Sequence, residues 1–178
     1  RKRGKDPDML LTVIIPVYNE AKTIAEVIAR VQEQPFNKEI IVVDDASTDG
    51  TRQVLSRIKE QNVKVILKEE NGGKGASLKR AAEHIQGDIC IIQDADLEYD
   101  PNDFKVMLDL LVRDRADVVY GSRFLSRTRI FYFNHLLGNK IVNLCANLLF
   151  NTTFTDLETG YKAFRSEILK DFPFRSTS

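Results

Sequence analysis

The chain has 178 residues, with 26 basic and 26 acidic side chains and a formal net charge of zero. This length suits one domain, or one domain of a longer chain, and the lack of a basic excess argues against a general nucleic-acid binder. Two cysteines exclude a disulfide scaffold, and no apolar run approaches the roughly 18 residues that cross a bilayer. Cys90 and Cys145 lie in apolar patterns, which predicts two reduced core residues and a reducing compartment.

Strands and helices alternate over the first 120 residues. Apolar, β-branched runs predict five buried strands at Leu11–Ile15, Ile40–Val43, Val63–Leu67, Ile89–Ile92 and Val118–Tyr120. Between them, apolar residues at helical spacing predict helices around residues 24–31, 54–58, 78–85 and 104–111, and we expect Gly87 to end the third helix. This alternation predicts an α/β fold with a mostly parallel sheet and helices on both faces.

Polar or glycine-rich clusters follow each predicted strand. Because ligands of such sheets bind at the carboxyl ends of the strands, these clusters are the candidate site. They are Pro16–Glu20, Asp44–Thr51, Asn71–Gly75, Asp94–Glu98 and Gly121–Arg123.

Asp94 and Asp96 form an Asp-x-Asp pair after the fourth strand. In an extended segment, residues two apart point the same way, and two such carboxylates repel unless a cation lies between them. Hard oxygen ligands suit Mg²⁺ or Mn²⁺, and Glu98 could add a third oxygen. An acidic turn, with Asp96 or Asp100 capping the next helix, explains the pattern equally well.

Two further clusters also allow two interpretations. One carboxylate of Asp44-Asp45 could accept hydrogen bonds from a base or a ribose, or the pair could belong to the turn that begins the second helix. The stretch Asn71–Gly75 opens the third helix, where backbone N–H groups and Lys74 favour an anion. A flexible turn is the alternative for this stretch.

After residue 121 the pattern changes. The stretch Arg127–Phe150 combines cations with large apolar residues and is helical in pattern from His135 onward. That composition is typical of an interfacial helix on a membrane surface, and a helix packed on the core or in a dimer interface is the alternative. His84 and His135 are single residues on helical patterns, which favours surface or core roles over metal binding.

Taken together, the clusters resemble the family-two glycosyltransferases of the GT-A fold, a Rossmann-like α/β architecture. Within that family the chain resembles the polyprenyl-phosphate group, which contains dolichyl-phosphate mannose synthases and bactoprenol glucosyltransferases. The matching stretches are Val13–Glu20, Val42–Thr51, Asn71–Gly75, Gln93–Glu98, Gly121–Phe124 and Thr155–Lys162. The resemblance therefore runs over residues 13 to 165 in family order.

On the donor side, the resemblance implies that Pro16, Tyr18 and Glu20 border the nucleotide. Asp45 would contact the base, with Lys74 nearby. The donor would be a nucleotide diphosphate sugar, either UDP-glucose or GDP-mannose, with a slight preference for UDP-glucose.

The resemblance also implies a divalent metal, Mg²⁺ or Mn²⁺, held with the diphosphate by Asp94 and Asp96. Glu98 stands where the family often has a further ligating side chain. Asp96 is accordingly expected among the catalytic residues.

On the acceptor side, the resemblance implies that Arg123 and the Asn139–Lys140 region face the acceptor phosphate, and that Asp156 lies near the transferred sugar. The expected reaction is an inverting hexosyl transfer to a polyprenyl or dolichyl phosphate. A family member that acts on a soluble sugar or polysaccharide, or a silent nucleotide-sugar-binding module, are the alternatives.

Family members usually continue with a further apolar–acidic segment, a basic stretch and often membrane helices, which this sequence lacks. We therefore expect a basic N-terminal tail at 1–9 and a GT-A catalytic domain at 10–178, truncated at its C-terminal end. The expected partners are the donor, the lipid acceptor, a membrane surface and a second copy in a homo-oligomer, but no nucleic acid. The expected location is the cytoplasm or the cytoplasmic face of a membrane.

Overall fold

The computed structural model describes residues 9–113, 116–121, 133–153, 155–157 and 159–174. Most of the predicted basic tail, residues 1–8, lies outside the described residues. Within the described part, six strands form one sheet in the order β3-β2-β1-β4-β6-β5. The strands are β1 (Leu11–Val17), β2 (Lys38–Asp44), β3 (Val63–Leu67), β4 (Ile89–Ile92), β5 (Val118–Tyr120) and β6 (Lys162–Arg165).

Six α-helices alternate with these strands or follow them in the described residues. They are α1 (Ile24–Gln32), α2 (Thr51–Leu55), α3 (Gly73–Ala82), α4 (Phe104–Val112), α5 (Phe133–Phe150) and α6 (Ser166–Lys170). A 3₁₀ turn at Pro101–Asp103 precedes α4 and is capped by Asp100, whose side chain accepts the Asn102 N–H. The α/β fold with a mostly parallel sheet is confirmed.

The two faces of the sheet are covered differently. Apolar residues of α1, α2 and α4 pack with β1, β2 and β4 in the larger core cluster. Residues of α3 and α6 pack on the other face, which we call the α3 face. Continuous burial of β1 and β4 explains why their sequences show no polar alternation.

Gly87 does not end the third helix, because α3 ends at Ala82. Gly87 instead lies against the start of β1, where its N–H donates to Thr12 Oγ1 over 3.1 Å. A Cβ at this position would come within 2.5 Å of the Leu10 carbonyl oxygen. The glycine is therefore required by a close backbone approach and not by a helix end.

The cysteine prediction is half wrong. Cys90 is buried in β4, and burial raises the pKa of its thiol to about 12. Cys145 is exposed on α5. Its neighbours at helical spacing form an outward-facing apolar side, which the sequence pattern alone does not distinguish from a core-facing one.

Candidate functional site

The strand order creates a switch point between β1 and β4. The chain proceeds outward from β1 to β2 and β3, then returns to place β4 on the other side of β1. Pairing of β1 with β4 covers only Leu11–Ile14, so Pro16, which lacks an N–H, is paired with β2 but lies beyond the pairing with β4. Clefts at such points are where open α/β sheets bind ligands.

Antiparallel β6 adds a further segment to this edge. It pairs antiparallel with both β4 and β5, so its first residue, Lys162, lies beside the end of β4 at Ile92. The residues just before β6, at 155–157 and 159–161, therefore reach the same edge as the loops that follow the parallel strands. We call them the β6 entry segment.

The loops after β1 and β2 are hydrogen-bonded to each other. The Asn19 N–H donates to Ser47 Oγ over 2.9 Å, and the Thr48 N–H donates to Asn19 Oδ1 over 2.8 Å. One residue further, the Glu20 N–H donates to Thr51 Oγ1 over 2.9 Å. These short polar side chains fix the two loops as one surface.

The residues predicted to border a nucleotide lie on or near this surface. Pro16 is half-buried in β1, and Tyr18 is 49% exposed at the sheet edge. Glu20 is half-buried, and its Oε2 accepts the Thr23 hydroxyl over 2.7 Å. The structure thus brings these three residues to the switch point beside the loop after β2.

The two carboxylates after β2 have different surroundings. Asp44 is fully buried, and its Oδ2 accepts the Arg52 Nε–H over 2.7 Å and the Ser47 N–H over 3.2 Å. Its other oxygen has no hydrogen-bond partner within the described residues. Asp44 therefore organises the loop, as the turn interpretation expects.

Asp45 holds the loop that follows β3. Its Oδ1 accepts from Lys68 and from the Gly72 N–H over 3.0 Å, and its Oδ2 accepts the Gly73 N–H over 2.7 Å. Burial raises the pKa of Asp45, but these donors outweigh burial and hold that pKa below its ordinary value. The anion at the start of α3 is thus an internal carboxylate, and Gly73 adopts φ 77° there, a conformation that glycine takes without strain.

Lys74 connects this loop to the end of β4. Its ammonium forms an ion pair with Asp94 Oδ1. The β6 entry segment lies against the same pair, because a Cβ added to Gly160 would collide with Asp94 Oδ2 and come within 3.1 Å of Lys74 Nζ. Lys74, Asp94 and Gly160 are therefore in mutual contact.

Asp94 and Asp96 lie on a tight turn and not on an extended segment. Leu97 has φ 62°, and Asp96 Oδ1 closes the turn by accepting the Glu98 N–H over 2.9 Å. Asp94 is half-buried, whereas Asp96 and Glu98 are exposed. The backbone bends over residues 95–97, so the pair does not lie on an extended strand and the expectation for an extended segment does not apply to it.

Within the described residues, no three acidic, histidine or cysteine side chains form a ready metal cluster. Asp94 and Asp96 nevertheless fit a hard divalent cation, because both offer carboxylate oxygens on one partly open turn. The Lys74 ammonium already provides a cation to Asp94, and a metal ion would replace it there. The three-carboxylate set with Glu98 stays a prediction.

Two tyrosines join the turn after β4 to the β6 entry segment. The Gly160 N–H donates to the Tyr99 hydroxyl oxygen over 2.8 Å, and the Tyr161 hydroxyl donates to the Asp100 carbonyl over 2.9 Å. The rings stack with centroids 4.9 Å apart. Burial, with nearby Asp103 and Asp100, raises the pKa of Tyr161, so its hydroxyl stays a donor.

The buried side chain of Gln93 holds the turn after β4 by hydrogen bonds to its backbone. It is fully buried, and its Nε2 donates to the Asp94 carbonyl over 3.1 Å and to the Tyr99 carbonyl over 3.2 Å. One amide thus spans the turn from its first residue to the residue after Glu98.

Asp156 is buried in the β6 entry segment. An amide of α5 holds the residues on either side of it: Asn143 Nδ2 donates to the Thr155 carbonyl over 2.7 Å, and the Leu157 N–H donates to Asn143 Oδ1 over 2.8 Å. The backbone around Asp156 is therefore fixed by a side chain from a distant helix.

Lys162 brings a second cation to the site. It lies two residues before Phe164, which packs on the α3 face, so its side chain points to the side where Lys74 lies. Its ammonium lies 4.9 Å from the centre of the Tyr120 ring. Burial, then Lys74, lowers the pKa of Lys162, while Asp156 and Asp94 act in the opposite direction.

Three predicted acceptor residues are less well defined. Arg123 lies outside the described residues. Asn139 lies on α5, but its side chain is outside the described part, and Lys140 is exposed on the same helix. Their roles toward an acceptor phosphate stay predictions.

Sequence reasoning gave no role to Tyr99, Asn143, Gly160, Tyr161 or Lys162. Three of them belong to a stretch that matches the family pattern, but they lie before or at the start of a strand, whereas the strand-end rule points to residues that follow strands. A predicted antiparallel strand after residue 161 would have directed it to the preceding residues. No local signal identifies Asn143, because its partners lie 12 and 14 residues further along the chain.

The outer side of α5 is apolar. Exposed residues on this side are Ile141, Val142, Leu144, Leu148 and Leu149, and we call them the α5 apolar face. Over the described residues, no helix is long and apolar enough to cross a membrane.

Comparison with known proteins identifies relatives across nearly the whole chain. The sequence profile described as "Glycosyl transferase family 2" matches residues 12–172. "Glycosyltransferase AglJ" of Haloferax volcanii is 33% identical over 170 residues, covering 92% of this chain and 53% of that protein. "Dolichol-phosphate mannosyltransferase" of Pyrococcus furiosus is 30% identical, covering 91% of this chain and 48% of that protein.

A solved structure shares the fold. The mannosyltransferase PcManGT from Pyrobaculum calidifontis, in complex with GDP-Man and Mn²⁺, superposes with a TM-score of 0.66 at 26% identity. The match covers 95% of this chain and 48% of that one. The chain thus spans about half the length of these two relatives and of this structure.

Proposed function

The chain belongs to glycosyl transferase family 2, and on that premise we propose that it transfers a hexose from a nucleotide diphosphate sugar to a polyprenyl or dolichyl phosphate. One observation carries the proposal. The acidic turn after β4, the Lys74 ammonium and the buried Asp156 segment meet at the switch point of the sheet. Anionic, cationic and buried acidic groups at one ligand-binding edge suit a charged donor and a charged acceptor.

On the donor side, the paired loops after β1 and β2 border the nucleotide, with Tyr18 as an exposed ring beside it. Asp45 already accepts hydrogen bonds from Lys68, Gly72 and Gly73. In this proposal its Oδ2 accepts one further hydrogen bond, from the base. Asp45 therefore has two tasks in this proposal: it shapes the loop after β3, and it contacts the base.

Asp94 and Asp96, with Glu98 as a further candidate, would hold Mg²⁺ or Mn²⁺. The ion supplies charge neutralisation on the leaving diphosphate. When Asp94 binds the ion, Lys74 is free to bind a diphosphate oxygen from the same place.

In the reaction, an oxygen of the acceptor phosphate attacks the anomeric carbon, and the bond from that carbon to the diphosphate oxygen breaks with inversion. The nucleotide diphosphate leaves. A phosphomonoester has a second pKa of about 6, so the acceptor is largely dianionic at pH 7 and needs no strong base. Asp156 accordingly positions groups and balances charge, and Arg123 binds the acceptor phosphate.

UDP-glucose and GDP-mannose are the two proposed donors. The run Gln93–Asp100 favours UDP-glucose slightly, whereas a relative named as a mannosyltransferase and a neighbour with bound GDP-Man favour GDP-mannose. The base and ribose groups that Asp45 would contact in this proposal are common to both nucleotides, so a direct binding comparison decides between the two donors.

The α5 apolar face would bring the domain to the cytoplasmic face of a membrane that contains the acceptor lipid. Its exposed aliphatic side chains, with Lys140 beside them, match the composition of an interfacial helix. Flotation with anionic liposomes tests this point. Failure to float, together with a dimer in sedimentation, would assign the α5 apolar face to a homo-oligomer instead.

Calorimetric titration of UDP, GDP and their sugars, with Mn²⁺ and then with EDTA, tests the proposed function. We expect one nucleotide to bind only with the metal, and Asp96→Ala to abolish that binding. Asp109→Ala, a change of an exposed carboxylate on α4, is the control and should leave the affinity unchanged. Metal-independent binding, or none, would contradict the proposal.

A further inference from the structure

Asn143 links α5 to the acidic residue of the β6 entry segment. Its amide nitrogen donates to the Thr155 carbonyl over 2.7 Å, and its amide oxygen accepts the Leu157 N–H over 2.8 Å. The two backbone groups belong to the residues directly before and after Asp156. One planar amide thus holds both sides of the backbone that carries this carboxylate.

The burial of both residues makes this arrangement demanding. Asn143 is 6% exposed and Asp156 is 2% exposed. A buried amide that loses its partners leaves polar groups unpaired, which is costly, so the side chain and the loop constrain each other. Asn143 and Ala146 lie on the buried side of α5, whereas the apolar side chains at 141, 142, 144, 148 and 149 are exposed.

The opposite end of the β6 entry segment is fixed independently. There the Gly160 N–H donates to Tyr99, and Gly160 lies against Asp94. The position of Asp156 relative to Asp94 is therefore set at two points, by Tyr99 on one side and by Asn143 on the other.

We propose that Asn143 is a positioning residue that sets the place of the Asp156 carboxylate for the transfer step. The inference rests on the proposed function, because it gives Asp156 a task in that reaction. Asn143 acts through Asp156 and through the loop backbone, and it has no direct part in binding the donor.

Two substitutions of Asn143 remove its hold on the loop in different ways. Asn143→Leu loses both hydrogen bonds at similar size, whereas Asn143→Asp keeps the acceptor for the Leu157 N–H but turns a carboxylate oxygen toward the Thr155 carbonyl, near Asp156. We expect kcat to fall about 100-fold in Asn143→Leu, roughly tenfold for each lost buried hydrogen bond, and at least as much in Asn143→Asp. The affinity for the nucleotide with Mn²⁺ should stay within about twofold of the original value.

Asn147→Asp is the matched control, because Asn147 lies one turn further along the same helix and bonds to Thr152, outside the β6 entry segment. Its kcat should be unchanged. A double-mutant cycle with Asp156→Asn gives the decisive comparison. If Asn143 acts through Asp156, Asn143→Leu has little further effect once Asp156 is changed, whereas a general structural role makes the two losses multiply.

A readout that needs no turnover separates this inference from the proposed function. In a chain labelled with ¹³C at aspartate carboxyls, the Asp156 resonance is identified by its loss in Asp156→Asn. Asn143→Leu should shift or broaden that resonance, and Asn147→Asp should not. Absence of turnover with every donor would reject the proposed function, whereas an unchanged Asp156 resonance in Asn143→Leu would reject the positioning role.

Discussion

The loops after β1, β2 and β3 and the β6 entry segment meet at one edge but are held differently. The first three are connected by short polar side chains, such as Asn19, Ser47 and Asp45, which bond to the backbone of the neighbouring loop. The β6 entry segment depends on a few groups from distant elements, chiefly the Tyr99 hydroxyl and the Asn143 amide.

This difference predicts different consequences of mutation. The three loops join the buried strands β1 and β2 to the edge strand β3, so damage to their contacts should lower the free energy of unfolding. The β6 entry segment lies over the turn after β4, so damage there should misplace Asp94 or Asp156 while the sheet stays intact. The following predictions test that separation, from the largest expected effect to the smallest.

Gly160→Ala should give the largest effect, on binding and not on stability. The new Cβ would collide with Asp94 Oδ2, the end of a side chain that can rotate away, so the fold adapts while the proposed ligand moves. We expect metal-dependent nucleotide affinity to fall about 10- to 100-fold, as measured by calorimetry.

Gly75→Ala is the control, because a Cβ there meets no heavy atom within 4 Å and the position is helical. It should leave the affinity unchanged and stabilise the chain slightly. If Gly160→Ala unfolds, or if its nucleotide affinity is unchanged, the β6 entry segment does not act on binding separately from stability.

Asp45→Asn should lower the free energy of unfolding by about 1–3 kcal/mol, because the amide replaces a buried carboxylate that bonds Lys68 and two backbone N–H groups. Urea denaturation measures this change. Asp109→Asn, at an exposed ion pair on α4, should cost far less. A stable Asp45→Asn variant would mean that the loop after β3 does not depend on this carboxylate.

Tyr99→Phe should lower the free energy of unfolding by about 1 kcal/mol, since a single hydroxyl acceptor is lost while the ring stack stays. We expect kcat to fall and nucleotide affinity to hold. Tyr161→Phe, which loses the bond to the Asp100 carbonyl, should behave alike. Loss of nucleotide binding in both variants would place this tyrosine pair in the donor site.

The pH dependence of stability should show the smallest effect. The pKa of Asp45 in the folded chain lies below its ordinary value of 3.8, so the unfolded chain binds a proton first as the pH falls. The stability that Asp45 provides is complete above that value and is lost as the pH falls through the lowered pKa. The difference in unfolding free energy between the wild-type chain and Asp45→Asn should therefore be constant near neutral pH and shrink in acid.

Much of the candidate site could be located from the sequence because it lies where parallel strands end. A buried strand leaves a distinctive apolar run, and the residues after it are polar because they meet solvent or ligand. The structure brings the predicted candidates Tyr18, Glu20, Asp45, Lys74 and Asp94 to that edge, and their roles stay predictions. Their partners could not be located from the sequence, since the ion pair of Lys74 with Asp94 joins two loops 20 residues apart.

The sequence by itself determined the α/β class, the first five strands with the helices between them, and the family resemblance, because periodicity and motifs are local. Tertiary structure decided what depends on strand direction and on distant contacts. Because β6 is antiparallel, it begins at the edge of the sheet where the parallel strands end. Lys162, the first residue of β6, and Gly160 just before it therefore lie at that edge. Asn143 reaches Asp156 because α5 packs beside that segment, and no spacing rule connects a helix amide with a loop that lies beyond the end of its helix.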